Sequence, residues 1–194
     1  MAFVIRSDNL DTGERPADTG AMQTVITRTC RVLGVDTSLR STGIAVIEAT
    51  GSRLTAIYSG LVRNPPKRPL SACLVALQDG LAAVIEAHHP EVVAIEGVFF
   101  AKNVRTTRVL GEARGAVISQ CARLGLPVFE YEPRRVKQAV VGQGGAEKSQ
   151  VQRMVTTILG LVETPPEDAA DALGIAICHL HNRTRIAMLA DEPI

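Results

Sequence analysis

The sequence has few aromatic residues and no tryptophan: two tyrosines and four phenylalanines make up 3% of its 194 residues. The core must therefore be built from aliphatic side chains. The four cysteines are widely spaced and form no CxxC pair, which indicates reduced, buried thiols rather than a disulfide framework. No apolar run reaches the roughly 18 residues of a membrane-spanning helix, and residues 1–5 are too short for a signal-peptide core. We expect a cytoplasmic protein without a membrane partner.

The net charge is only +1, but the charges are unevenly distributed. Residues 101–153 hold ten bases and four acids, a net of +6, whereas residues 154–194 hold two bases and six acids, a net of −4. This asymmetry is typical of a polyanion-binding surface beside a divalent-metal site, although a solvated basic helix face would give the same totals. A near-zero net charge therefore does not exclude a nucleic-acid partner.

Residues 31–184 carry the pattern of a single α/β domain, a mixed five-stranded sheet flanked by helices. Residues 1–30 are polar and rich in turn formers, so we expect a flexible extension, and residues 185–194 are expected to form a tail. Three short β-rich runs predict an antiparallel meander, after which helices and strands alternate. The predicted strands are 31–36, 41–48, 54–62, 91–98 and 127–131, and the predicted helices are 70–88, 107–124, 134–141, 147–161 and 167–182.

Four acidic residues interrupt apolar stretches. Asp36 ends one predicted buried strand and Glu96 lies inside another, where an ionised carboxylate costs several kcal/mol unless it is compensated. Asp168 and Asp171 share one face of the first turn of an apolar helix. Each acid also has an ordinary explanation: Asp36 could cap a turn, Glu96 could face a base, and acids favour helix N-termini.

Taken together, the four acids favour a common metal site. Oxygen ligands without thiolate or clustered imidazole select Mg²⁺ or Mn²⁺. Pairs of such ions, about 3.5–4 Å apart, support phosphoryl transfer. The sequence shows no Ser-His-Asp arrangement and no activated cysteine, so we expect direct hydrolysis without a covalent intermediate.

The combined pattern over residues 31–183 resembles the RuvC family of bacterial Holliday-junction resolvases. The most specific stretches are AIEGVFFAKN (94–103), VFEYEPRRVKQAVVGQGGAEKSQVQ (128–152) and EDAADALGIAICH (167–179). The resemblance implies a ribonuclease H-like fold with two Mg²⁺ per active site, for which Mn²⁺ can substitute. The implied catalytic metal ligands are Asp36, Glu96, Asp168 and Asp171.

The first motif departs from the family pattern. The family usually has Pro-Gly after the first acid, whereas Thr37 and Ser38 follow Asp36 here. This departure leaves the conformation of the local turn undetermined, but it does not affect the assignment of Asp36 as a metal ligand. We expect Gly43 to mark the turn into the second strand.

The resemblance also implies DNA-binding residues. Phe99 matches the family aromatic that stacks on an unpaired base at the junction centre, a contact worth about 1–3 kcal/mol. Lys148 matches a lysine near the scissile phosphate, and Lys137 matches a second lysine that contacts DNA. The alternative for Phe99 is an ordinary core phenylalanine, and each lysine taken alone would be a solvated helix residue. Further contacts with the DNA backbone are predicted for Lys102, Arg105, Arg108, Arg134 and Arg135.

Two other motifs suggest chemistry that we do not expect. GQGGAEKS (142–149) lacks the glycine that a Walker loop has directly before Lys-Ser, so we expect a tight loop near DNA instead. His179 and His181 are two residues apart on a helix and face different sides. We expect them near the helix end, without a shared metal.

The implied function is symmetric nicking of two opposing strands of a four-way DNA junction in recombination and repair, leaving 5′-phosphate and 3′-hydroxyl ends. Symmetric cuts imply a homodimer, with helix 107–124 as the expected contact surface, and the family partners are the RuvA–RuvB branch-migration proteins. Two alternatives stay open: an actin-like or sugar-kinase-type ATP-binding fragment, with DTSLRSTG (36–43) as its phosphate loop, and a catalytically silent junction-binding module. The first gives the Asp168–Asp171 pair no role, and the four acids argue against the second.

Overall fold

The computed structural model describes residues 29–97, 103–189 and 192–194. These residues form a five-stranded mixed sheet covered by helices on both faces, which confirms the predicted fold class. The strands are β1 (Thr29–Asp36), β2 (Ser41–Thr50), β3 (Arg53–Arg63), β4 (Val92–Glu96) and β5 (Val128–Tyr131). The helices are α1 (Leu70–His88), α2 (Val104–Arg123), α3 (Pro133–Val141), α4 (Lys148–Leu159) and α5 (Glu167–Leu189).

The strand order β3-β2-β1-β4-β5 brings two acid-bearing strands together at the centre of the sheet. Strands β1, β2 and β3 form the predicted antiparallel meander, while β4 runs parallel to both β1 and β5. Val35 pairs with Ile95, so Asp36 and Glu96, one residue further on, end neighbouring parallel strands. The carboxyl end of parallel strands is where α/β sheets bind ligands.

The core has two aliphatic layers, one on each face of the sheet. Side chains from α3, α4 and α5 pack on one face, and side chains from α1 and α2 pack on the other. Alternation along β1 serves both layers, because Val32 faces α5 whereas Leu33 and Val35 face α1 and α2. The cysteines are free, and all but the half-buried Cys30 are buried, as predicted.

Two glycines allow α5 to lie directly on the sheet. A Cβ atom added at Gly34 would lie 2.1 Å from the carbonyl oxygen of Ala172, and one added at Gly43 would lie 1.9 Å from that of Asp168. The expectation that Gly43 marks a turn is wrong, because this residue lies inside β2 and pairs with Asp36. Its missing side chain leaves room for the first turn of α5 beside the end of β1.

Several element boundaries differ from the sequence prediction. Helix α5 continues to Leu189, so the predicted domain boundary at 184 falls inside the helix, and the two histidines expected at its end lie within it. The N–H group of Ile194 donates to the carbonyl of Val128 at 2.9 Å, which places the end of the chain against β5. Helix α2 begins at Val104, earlier than predicted, because the side chain of Asn103 accepts hydrogen bonds from the first turn.

Among the described helices, α1 is long and apolar enough to cross a membrane on length and composition alone. A core helix passes the same test, so this result is weak evidence for a membrane span. In this fold Leu77, Leu81 and Val84 are buried, and the last two belong to the core layer under α1 and α2.

Candidate active site

A pocket of about 280 Å³ opens where β1 and β4 end. The carboxylates of Asp36, Glu96 and Asp171 line it, together with the amines of Lys137 and Lys148. The remaining lining residues are Pro133, Val136, Val151 and Ile175. Five elements thus bring three of the four predicted acids and both predicted lysines to one place.

Burial first, and then the charge of neighbouring carboxylates, raises the pKa of each acid that lines this pocket. The pKa of Asp36 rises from its ordinary value of 3.8 to about 7, first because the group is buried and then because Asp171, Glu96 and Asp168 are close. Burial is also the main reason that the pKa values of Glu96 and Asp171 are raised. Buried carboxylates that repel one another are stabilised in their charged form by a nearby cation.

Asp168 lies next to this pocket but does not line it. Its charge contributes to the raised pKa of Asp36, while its Oδ2 atom accepts a hydrogen bond from the hydroxyl of Ser41. In the described part of the chain, no three Asp, Glu, His or Cys side chains lie close enough to hold a metal ion as they stand. The donor chemistry nevertheless fits a hard divalent cation, because all four groups offer carboxylate oxygens. Metal binding by the four acids remains a prediction.

Lys148 is the first residue of α4, where Glu147 and Gln150 form a capping box. Its amine contacts a carboxylate oxygen of Glu167 and lies 3.5 Å from Oδ2 of Asp171. The hydrogen bond with Glu167 is the main reason that the pKa of Lys148 is raised, so the amine is charged. The Lys148 side chain is 64% exposed, and ion pairs this exposed are weak, so the amine can exchange its partner for a phosphate.

Glu167 is a residue that the sequence analysis missed. It directly precedes Asp168, which is one of the predicted metal ligands, but Glu167 itself appears in the sequence analysis only as the first residue of the motif EDAADALGIAICH. Nothing in the sequence connects Glu167 with Lys148, because the two lie on different helices.

Lys137 reaches the same pocket from α3. This helix ends at Gly142, which has a φ of 84°, a conformation that glycine adopts without strain. The chain then turns into α4, and both helices pack against α5. The glycine-rich segment is therefore the connection that allows Lys137 and Lys148 to face one pocket.

The turn after Asp36, which has Thr37 and Ser38 in place of the family's Pro-Gly, is closed by side-chain hydrogen bonds. The Ser38 hydroxyl accepts the N–H of Ser41 and donates to its carbonyl, both at 3.0 Å. The Thr42 hydroxyl donates to the carbonyl of Ser38. These side-chain bonds close the turn, and Asp36 remains paired with Gly43 across the two strands.

The predicted arginines lie at different distances from the acids. Arg105 lines a groove of about 370 Å³ with Ser38, Leu39 and Arg40, which places it beside the turn that follows Asp36. Arg108 pairs with Glu112 on the exposed surface of α2. Of the arginines predicted to bind DNA, Arg105 therefore lies next to the turn that follows Asp36.

Arg134 and Arg135 line a separate cleft with Glu130 and Glu132. The guanidinium of Arg135 lies 5.2 Å from the ring centre of Tyr131 and donates to Asn182 at 3.1 Å. The structure does not bring these two arginines to the acid pocket. Phe99 and Lys102 lie outside the described residues.

A buried polar pair, also missed from the sequence, connects β5 to α5. Tyr131 and Nδ1 of His179 share a hydrogen bond of 2.8 Å in the interior. Burial lowers the pKa of His179 to about 4, so its ring is neutral at physiological pH. Because Tyr131 pairs with Glu96 across β4 and β5, this bond supports one of the strands that border the site.

A family model described as crossover junction endodeoxyribonuclease RuvC matches residues 32–179. The chain belongs to the RuvC family. The match includes every predicted metal ligand and both pocket lysines, and it supports the nuclease interpretation over an ATP-binding fragment. RuvC proteins are metal-dependent nucleases.

The RuvC assignment is supported by individual relatives. The crossover junction endodeoxyribonuclease RuvC of Teredinibacter turnerae is 47% identical over 163 residues, which cover 82% of this chain and 92% of the relative. The solved structure of T. thermophilus RuvC in complex with a Holliday junction substrate is 32% identical, with a TM-score of 0.77, and the match covers 85% of this chain and 99% of that one. The yeast mitochondrial Holliday junction resolvase Ydc2, at 14% identity and a TM-score of 0.60, is similar in fold alone.

Proposed function

We propose that this protein resolves four-way DNA junctions by nicking two opposing strands symmetrically, leaving 5′-phosphate and 3′-hydroxyl ends. The observation that carries the proposal is one pocket with three half-buried carboxylates and two lysines, in a chain of the RuvC family. The solved RuvC relative that holds a Holliday junction supports the substrate. The carboxylates and the lysines serve different parts of the reaction.

Asp36, Glu96, Asp168 and Asp171 are the groups that would hold two Mg²⁺ ions, with Mn²⁺ as a substitute. Such a metal pair, when bound, lowers the pKa of the attacking water and stabilises the charge on the leaving oxygen. The protein supplies these four carboxylates from the ends of β1 and β4 and from the beginning of α5. Burial first, and then the charge of neighbouring carboxylates, raises the pKa values of Asp36, Glu96 and Asp171, and a bound cation would stabilise their charged forms.

Lys137 and Lys148 would bind the phosphate group of the DNA strand that is cleaved. Both residues line the acid pocket, so a phosphodiester held there would meet two lysines beside the carboxylates. Lys148 is charged and can stabilise the negative charge that develops on the phosphate during cleavage. Its exposed pairing with Glu167 is weak enough to be exchanged for a phosphate when DNA binds.

The DNA extends beyond the pocket. Arg105, in the groove beside the turn after Asp36, is placed to contact the adjoining DNA backbone. Phe99 is proposed to stack on an unpaired base, and Lys102, Arg108, Arg134 and Arg135 to contact more distant phosphates.

We infer a homodimer, because two symmetric cuts need two active sites. The proposed contact surface is the outer face of α2, residues 107–124, where Gly111 and Gly115 have no neighbour within 4 Å of an added Cβ. The proposed cellular partners are the RuvA–RuvB branch-migration proteins, in the cytoplasm.

The test is cleavage of a synthetic mobile four-way junction compared with linear duplex of the same sequence, with Mg²⁺ and with EDTA. We expect paired nicks in opposing strands of the junction, with Mg²⁺ only. Equal cutting of both substrates would reduce the proposal to a general nuclease. Binding without any nicking would support the silent junction-binding module instead.

A further inference from the structure

A hydrogen bond joins the beginning of β2 to the first turn of α5. The hydroxyl of Ser41 donates to Oδ2 of Asp168, 127 positions further along the chain. It therefore connects the turn that follows one proposed metal ligand, Asp36, with the side chain of another.

The geometry of β2 directs Ser41 at α5. Alternate residues of a strand face the same side of the sheet, so Ser41 and Gly43 share a face. At Gly43 that face is filled by the backbone of Asp168, with its carbonyl oxygen 1.9 Å from where a Cβ would be. Ser41 therefore lies beside the first turn of α5, for which Gly43 leaves room, and its hydroxyl reaches the carboxylate of Asp168.

The turn that carries Ser41 is held on two sides. Ser38 bonds to both the N–H and the carbonyl of Ser41. Asn64, which is buried, donates its backbone N–H to the carbonyl of Arg40 and its side-chain amide to the carbonyl of Leu39, both at 2.9 Å. The Ser41 hydroxyl is thus presented by a preorganised backbone rather than by a free loop.

We propose that Ser41 is a positioning residue for Asp168. By engaging Oδ2, it fixes the orientation of the carboxylate and leaves Oδ1 to bind the metal, without touching the substrate itself. The inference rests on the proposed function, in which Asp168 is a metal ligand. Partners of this kind contribute 10- to 100-fold to metal affinity in other metal sites.

The test compares two variants of equal size. Ser41→Thr keeps a hydroxyl group, whereas Ser41→Val has the shape of threonine but no hydroxyl group. Mn²⁺ binding to the full-length protein without DNA is measured by electron paramagnetic resonance, and half-maximal Mg²⁺ for junction cleavage is measured in parallel. We expect Ser41→Val to bind Mn²⁺ about 10-fold more weakly and Ser41→Thr to remain within about two-fold of the wild type. Ser59→Ala, at an exposed serine of β3, serves as the matched control and should change neither value.

Melting of the metal-free variants shows that they are folded, and junction binding in EDTA should be unchanged. The inference would be overturned if the Mn²⁺ affinity of Ser41→Val equalled that of Ser41→Thr or exceeded that of the wild type. Asp168→Asn separates this failure from a failure of the proposed function. If Asp168→Asn weakens Mn²⁺ binding and Ser41→Val does not, only the role of Ser41 is wrong; if neither does, Asp168 is not a ligand.

Discussion

The acid pocket should make the metal-free protein less stable at neutral pH than it would be without Asp36. The pKa of this carboxyl rises from 3.8 to about 7 on folding, so the folded protein holds the proton more tightly than the unfolded chain does. The free energy of unfolding therefore falls as the pH rises from 3.8 to 7. Replacing Asp36 by Asn, which has nearly the same shape and cannot ionise, removes this loss.

The size of the effect follows from the same two values. The difference between 3.8 and about 7 corresponds to at most about 4 kcal/mol of unfolding free energy at pH 8. We expect Asp36→Asn to be more stable than the wild type by about 2–4 kcal/mol at pH 8, and by little near pH 4. The same variant should lose junction cleavage, because the change removes a proposed metal ligand.

The measurement is urea unfolding of both proteins in EDTA between pH 4 and pH 8. Comparing the two proteins at each pH cancels the titration of all other groups that they share. Asp79→Asn, at an exposed acid of α1, is the control and should follow the wild type. An Asp36→Asn variant that is no more stable at pH 8, or whose gain is the same at every pH, would refute the reasoning.

The remaining predictions concern packing, the buried pair and DNA binding. Gly43→Ala places a methyl group against the backbone of Asp168 and should lower the unfolding free energy by about 1–3 kcal/mol or more, measured in urea; an unchanged value would contradict the close approach of α5. Tyr131→Phe leaves His179 without its partner and should cost about 1–3 kcal/mol. The pKa of His179 is lowered from 6.5 to about 4. The stability that its neutral form provides is therefore complete above pH 6.5 and declines as the pH falls towards 4. Measuring the unfolding free energy across this pH range checks the direction. Lys137→Ala should reduce the slope of a log–log plot of junction affinity against salt by about 1; the same slope as in the wild type would exclude a phosphate contact.

The fold could be predicted because each element shows its period in the sequence. The apolar runs of β1 and β4 and the helical spacing of α1 fix element type, and the order of elements restricts the sheet to a few arrangements. The ends of elements were harder to predict. The N-cap at Asn103 depends on local hydrogen bonds that periodicity does not show, and α5 ends at Leu189 rather than at the predicted residue 182.

The site could be predicted in part for a related reason. Asp36 and Glu96 stand out because they break the apolar pattern of their own strands. The contacts of Ser41 with Asp168 and of Lys148 with Glu167 join residues far apart in the chain, so no local pattern indicates them. Gly43 was misinterpreted because the atom that excludes its side chain belongs to another element.

The most direct test of the account is to measure cleavage and binding separately for Glu96→Gln, which keeps the size of the side chain and removes its charge. We expect the variant to bind a mobile four-way junction with the affinity of the wild type and to nick it at least about 100-fold more slowly in Mg²⁺, because a proposed metal ligand is lost while the DNA-binding surface is intact. Nicking at the wild-type rate would contradict the assignment of this pocket as the metal-dependent active site.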